Sequence, residues 1–260
     1  MVFLQVLSTE FTKLKRTKIT WALGLVYCIA PFMVSLMMMV LKNPELARRM
    51  GLIAQKAQIA AGSADWPTYL TLTAMLFMVG MIVLGIAEAF MFGREYAEGT
   101  AKNMLTLPVG RGTIVAAKLL VASVWFLIMC TVVYGESIAL GFLVGLPGLA
   151  PGLVAKNALL VVRLVLEVLM LGSVTAWIAV GGRGYLAPVG FTILGLFLGD
   201  LFAHTGWGLW FPWSIVLLTS GAGGVDAPVP GAGSMIVLVG VFLACAVGTY
   251  LTIDRADNTQ

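Results

Sequence analysis

Six apolar runs divide this chain, at residues 19–41, 69–92, 114–142, 158–180, 186–202 and 235–253. A helix needs about 20 predominantly apolar residues to cross a bilayer, with a range of about 17–25. Five runs fit that range, with the fifth the shortest. The third is longer and predicts a helix that tilts or projects beyond the lipid. The first run is too long for a signal-peptide core and lacks a small-residue cleavage site, so it is expected to be retained.

The polar intervals carry patterns of their own. In residues 1–18, Phe3, Leu7, Phe11 and Leu14 form one stripe, and four cations (Lys13, Lys15, Arg16, Lys18) abut the first run. That pattern predicts an amphipathic interfacial helix that turns into the membrane near Lys18. In residues 42–68, Leu46, Met50, Ile53, Ala57 and Ala60 recur at helical spacing after Pro44, which is suited to open a helix. Two uses fit this external amphipathic helix: a lipid anchor, or a cationic contact for an anionic substrate. Residues 203–233 are apolar but broken by Pro212 and by a glycine- and proline-rich return. They predict an external re-entrant element with Trp207, Trp210 and Trp213 at headgroup level.

Composition agrees with a chain built for lipid. It is 60% hydrophobic and 11% charged, against about 45–50% apolar and about 25% charged in soluble domains. The spans consume most of the 260 residues and leave no room for a separate soluble catalytic domain. The expected fold is therefore all-α and integral to the membrane, one domain of six transmembrane helices. Cations gather near span ends and not in a stripe suited to nucleic acid. With the N-terminus in the cytoplasm, Lys13, Lys15, Arg16, Lys18, Arg94, Lys102, Arg111, Lys118, Arg183 and Arg255 lie inside. Lys42, Arg48, Arg49, Lys56 and Lys156 lie outside, and Arg163 lies within a span. This asymmetry predicts that both termini are cytoplasmic. Cys28, Cys130 and Cys245 fall in apolar runs without motif spacing and indicate neither a disulfide framework nor a metal site.

The interval 93–112 is the most informative. Gly99 suits a helix C-terminus, Thr100 a following N-cap, and Pro108 a stop. The order predicted is a helix, a sharp break, a short helix over 101–107, a turn, and a helix capped by Thr113. Met104, Leu105 and Leu107 supply apolar knobs on the short helix, ringed by Arg94, Glu95, Glu98, Lys102 and Arg111. A short stiff element of this kind predicts docking of a soluble partner.

Residues 94–111 read R-E-Y-A-E-G-T-A-K-N-M-L-T-L-P-V-G-R, followed by an apolar run containing Lys118. This resembles the cytoplasmic loop of type-2 ABC (ATP-binding cassette) exporter permeases, R-E-x-x-x-G-T-x-K-x-L-L-x-x-P-V-x-R, with Met104 where leucine is usual. The six-span layout is similar to the short permeases of peptide-antibiotic export and immunity systems. The resemblance implies a coupling helix that docks in a separate cytoplasmic ATPase. Glu98, Gly99, Thr100, Lys102, Met104 and Leu105 would sit at the contact, flanked by Arg94, Glu95 and Arg111. It also implies a dimer with a second, like permease, in the plasma membrane of a bacterium. The sequence contains no G-x-x-x-x-G-K-[ST] run. ATP and Mg are therefore expected in the partner subunit, with no cofactor and no catalytic residue in this chain. Hydrophobic or amphipathic peptide antibiotics and drugs are the implied substrates.

Four ionisable residues fall within spans: Glu88, Glu136, Arg163 and Glu167. Such residues are costly in lipid and face bundle interiors or cavities. Arg163 and Glu167 share a helix face at i,i+4, and Glu136 is the expected cross-helix partner of Arg163. Two roles fit, a polar patch on the translocation route and an ionic staple between spans three and four. Two other functions compete with the exporter. An intramembrane aspartyl protease needs a second aspartate within the membrane to join Asp200, and Asp226 falls in a loop. A secondary transporter or channel needs a self-sufficient path, often in repeated halves, and no repeat is evident.

Overall fold

A computed structural model describes residues 2–43, 45, 48–49, 51, 63–100, 109–224 and 226–255. Among these the chain is helical: α1 Val2–Arg16, α2 Lys18–Lys42, α3 Trp66–Ala97, α4 Arg111–Val144, α5 Leu153–Gly181, α6 Leu186–Ala203, α7 Pro212–Thr219 and α8 Ala232–Asp254. Six of them, α2 to α6 and α8, are long and apolar enough to cross a membrane. They fall on the six apolar runs. The 34-residue α4 is the longest, as its run predicts. α3 nearly equals it at 32 residues, because the helix runs on through the charged turn to Ala97. At 1.5 Å per residue each exceeds the roughly 30 Å of a hydrocarbon core.

α3 is the hub. Its buried face carries Trp66, Tyr69, Phe77 and Phe92, all nearly inaccessible. It packs most extensively on α5, and also on α2, α4 and α6. α4 packs chiefly on α2, while its contact with α5 is slight. Consecutive spans three and four thus meet only over a short stretch, where Tyr134 Oη donates to the Val154 carbonyl at 3.1 Å, because α3 lies between the rest of them. The outward faces of α2, α6 and α8 expose large apolar side chains such as Trp21, Phe32, Phe197 and Leu243. That exposure fits helices whose backbone polar groups are satisfied internally and whose side chains face lipid.

Two ends can be told apart. At one, α1 crosses the roots of α3 and α4, and Arg111 at the start of α4 donates to the carbonyls of Ile253 (2.8 Å) and Asp254 at the end of α8. Those carbonyls lack helical partners, so the guanidinium caps them. The α5–α6 turn is at this end too. Gly93 of α3 abuts it so closely that a Cβ there would lie 2.5 Å from the Gly184 carbonyl. At the other end, Lys42 Nζ donates to the carbonyls of Val144 (2.8 Å) and Gly145 (2.6 Å), closing α4 from α2. Asp65 caps α3 there by accepting from the Thr68 N–H at 2.9 Å.

Three expectations need correction. α4 starts at Arg111 with Gly110 as its N-cap residue, and Thr113 sits inside its first turn. Trp207 and Trp210 are exposed, but Trp213 turns inward. Pro212 opens α7, which sets Trp213 against α6, where Gly195 and Gly199 leave a groove for its indole. Phe191 closes edge-on at 5.4 Å. The third concerns Arg163 and is described below. The expected helices over 44–61 and 101–107 lie largely outside the described residues.

Candidate functional site: the α1 end of the bundle

Four charged side chains meet where α1 crosses α3 and α4. Lys118, only 3% exposed in its side chain, donates to Glu10 Oε2 at 2.8 Å, to Glu95 Oε1 at 3.0 Å and to the Met91 carbonyl at 2.9 Å. Lys13 completes the ring, donating to Glu10 Oε1 at 2.6 Å and to Glu95 Oε1 at 2.8 Å. Two cations thus face two carboxylates, and the cluster is neutral. A lone buried ammonium would be costly, whereas a paired and hydrogen-bonded one is tolerated. Burial opposes the charge on Lys13, but its hydrogen bonds to Glu10 and Glu95 outweigh that, and its pKa is raised above the ordinary lysine value. Glu95 uses Oε1 for both ammoniums, and its Oε2 is buried without a hydrogen-bond partner.

The helix phase of α1 explains the arrangement. Val6, Leu7, Glu10 and Leu14 form its inward line, with Phe3 and Phe11 exposed. The apolar stripe read from the sequence therefore runs along the edge of the buried face. Glu10 and Lys13 are functional residues that pattern reading missed, since each reads as an ordinary polar position. The available signal was Lys118, a lysine embedded in an apolar run and in need of carboxylates.

Beyond Glu95, α3 ends as a loop root. Arg94 Nε donates to Glu98 Oε1 at 2.7 Å, and its NH1 reaches Thr17 Oγ1 at 3.4 Å. Gly99 takes φ +70°, the left-handed conformation that closes a helix without Cβ strain. Thr100 Oγ1 donates back to the Glu95 carbonyl at 3.3 Å. Of the residues expected at the docking contact, Arg94, Glu95, Glu98, Gly99 and Thr100 are thus contiguous at one root. Arg111 stands at the start of α4, engaged with the end of α8. Lys102, Met104 and Leu105 lie outside the described residues. A half-open cavity of about 800 Å³ lies between α1 and the ends of α2, α3 and α4, and Lys13, Arg16, Arg94, Glu98, Thr100 and Lys118 help to line it.

The sequence profile of the ABC-2 family transporter proteins matches residues 6–199. The chain belongs to that family. It is a multi-pass membrane permease subunit of an ATP-binding cassette transporter. Among curated proteins, the bacitracin transport permease protein BCRB of Bacillus licheniformis is 24% identical over 142 residues, which cover 55% of this chain and 68% of that relative.

Of the four ionisable residues inside the permease spans, the structure brings together only Arg163 and Glu167. Arg163 Nε pairs with Glu167 Oε1 at 2.8 Å, and its NH2 donates to the Pro230 carbonyl at 2.7 Å. Thr219 Oγ1 of α7 donates to the same Glu167 oxygen at 3.1 Å. This cluster ties α5 to α7 and to the segment before α8. Glu136 takes no part, and its Oε2 is without a partner. The expected Arg163–Glu136 pair fails because α3 separates α4 from most of α5. Glu88 is fully enclosed by protein, with its carboxylate pressed against Gly172 of α5 and its Oε2 unpartnered.

Proposed function

We propose that this permease exports hydrophobic or amphipathic compounds, with peptide antibiotics and drugs the foremost class, using ATP hydrolysed by a separate cytoplasmic ATPase. ATP and Mg are bound by that partner, and this chain carries no catalytic residue. The ATPase docks on the loop between α3 and α4, contacting Glu98, Gly99, Thr100, Lys102, Met104 and Leu105. The α1 end faces the cytoplasm of a bacterial cell, α1 lies along the inner leaflet, and α7 belongs to a re-entrant element on the outer side. Two permeases pair across the membrane, and substrate moves along their interface.

The observation that carries this reading is the tie at the loop root. Glu95 stands one helical turn before Gly99 and is bonded through Lys118 to α4 and through Lys13 to α1. A displacement imposed at the loop therefore reaches three helices through contacts under 3.1 Å. Family membership supports the ATPase partner and the dimer. The name of the Bacillus relative supports a peptide antibiotic as cargo. The asymmetry of cations between the intervals along the sequence, ten expected inside against five outside, supports the orientation. Arg163 and Glu167 act here as a staple for α7, since both have protein partners.

Co-purification tests the docking assignment. A nucleotide-binding ATPase encoded beside the permease and co-expressed with it should come down with the wild type. The double variant Glu98→Lys/Met104→Asp should release it while the permease still folds in detergent. Retention of the ATPase by that variant overturns the assignment.

A further inference from the structure

The charge network explains one wall of the cavity under α1 and leaves the rest of the cavity unused. Polarity changes along its length. On the span side it is walled by Ile19, Thr20, Ala87, Phe90 and Met91, and on the loop side by Arg94, Glu98 and Thr100. From Ala87 to Glu98 is eleven residues of one helix, about 16 Å at 1.5 Å per residue. The lining charges do not cancel. Glu10 and Glu95 are matched by Lys13 and Lys118, and Glu98 is matched by Arg94. Arg16 remains, with no anionic partner among the described residues. It directly precedes Thr17, whose hydroxyl Arg94 reaches. Arg94 has spent only Nε and one NH1 hydrogen on protein, which leaves part of its donor fork available. Two guanidiniums therefore stand at one end of a space whose span side is largely apolar and whose other charges are paired among themselves.

We propose that this cavity holds one anionic phospholipid, its phosphate between Arg16 and Arg94 and its chains along Ile19, Phe90 and Met91. The volume of about 800 Å³ lies within the usual range for a small-molecule site and far exceeds what a bare phosphate would fill. The gradient from apolar wall to guanidinium matches an amphiphile standing upright in a leaflet. This inference rests on the reading that the α1 end sits at the cytoplasmic membrane surface, where such lipids lie. Lipid occupancy would brace α1 against the loop root and make the permease's stability depend on the anionic lipid around it.

Native mass spectrometry of the delipidated full-length permease tests this, with phosphatidylglycerol as the probe and phosphatidylcholine and inorganic phosphate as comparisons. A single phosphatidylglycerol should bind in preference to phosphatidylcholine. Arg16→Gln, a change at an exposed side chain, should weaken it about fivefold, the effect of one cation near an anionic lipid surface. Lys156→Gln, at the far end of the bundle, should not. Val6→Trp fills the cavity without removing charge and should abolish the adduct. Undiminished affinity in Arg16→Gln, equal binding of phosphatidylcholine, or displacement of the lipid by inorganic phosphate would each overturn the proposal. Because ATPase co-purification is a separate readout, loss of the lipid adduct with the ATPase retained sinks the lipid site alone.

Discussion

The permease holds two ionic clusters, and they are built differently. At the α1 end, two lysines and two glutamates from three helices satisfy one another, with Lys118 almost fully enclosed. Away from that end, one arginine and one glutamate share a single helix, with a threonine hydroxyl and a backbone carbonyl completing the set. The first joins helices that are far apart in sequence. The second begins as an i,i+4 pair that would form on α5 alone, to which α7 is then attached. Arg163 keeps a third of its side chain exposed, so loss of its partner leaves its N–H groups access to other acceptors. Lys118 has no such outlet. The difference teaches that charge buried in a span is not one kind of feature. Here one cluster encloses its central cation, and the other encloses its carboxylate and leaves its cation partly exposed.

The comparison breaks most sharply at Lys118. Lys118→Met leaves two carboxylates buried without their central cation, a change that costs about 3–5 kcal/mol in comparable sites. A large drop in thermal unfolding in detergent, followed by tryptophan fluorescence, is expected. Adding Glu10→Gln and Glu95→Gln should restore much of it. The outer cluster should respond less. Glu167→Leu removes one charge-assisted bond and the Thr219 acceptor, worth about 1–3 kcal/mol. A double-mutant cycle between Arg163→Leu and Glu136→Leu should give a coupling under about 0.5 kcal/mol, and a larger value would mean that the two residues do meet. The smallest effect concerns pH. Lys13 has a folded pKa above its unfolded value. Its contribution is complete below the ordinary lysine pKa and is lost as pH climbs through the higher folded value. Stability measured from neutral to strongly alkaline pH should therefore fall more in the wild type than in Lys13→Arg, which keeps its charge.

Much of the fold was legible because hydropathy over about 20 residues is a strong, local signal. The six apolar runs became six helices, and the shortest and longest fell where run length put them. The charged turn of 94–97 was legible as helix too, since nothing in it breaks one before Gly99. What could not be read was lateral arrangement. Glu136 and Arg163 looked like partners because spans three and four follow each other and both residues lie in the same half. Hydropathy carries no record that α3 stands between them. Glu10 was hidden for a related reason. On an isolated α1 it is an ordinary polar position beside an apolar stripe, and only the neighbouring Lys118 gives it a purpose. Trp213 was grouped with two exposed tryptophans by spacing, whereas the groove that takes it is made by glycines of another helix.

The abutment of Gly93 on Gly184 carries a mechanical consequence. The root of the loop has two exits, an ionic one toward α1 and α4 and this backbone contact toward the α5–α6 turn, beside which Phe90 stacks on Tyr185 at 4.7 Å. Salt screens the first where Lys13 is exposed and leaves the ring stack and the backbone contact as they are. Hard-core contact also resists compression and offers no tension. A stroke that drives α3 toward that turn is delivered at once, while a stroke in the opposite direction has only the Phe90–Tyr185 stack to part. The two exits thus differ in kind: the ionic one acts as a tether that pulls by charge, and the glycine one acts as a stop backed by a single ring stack.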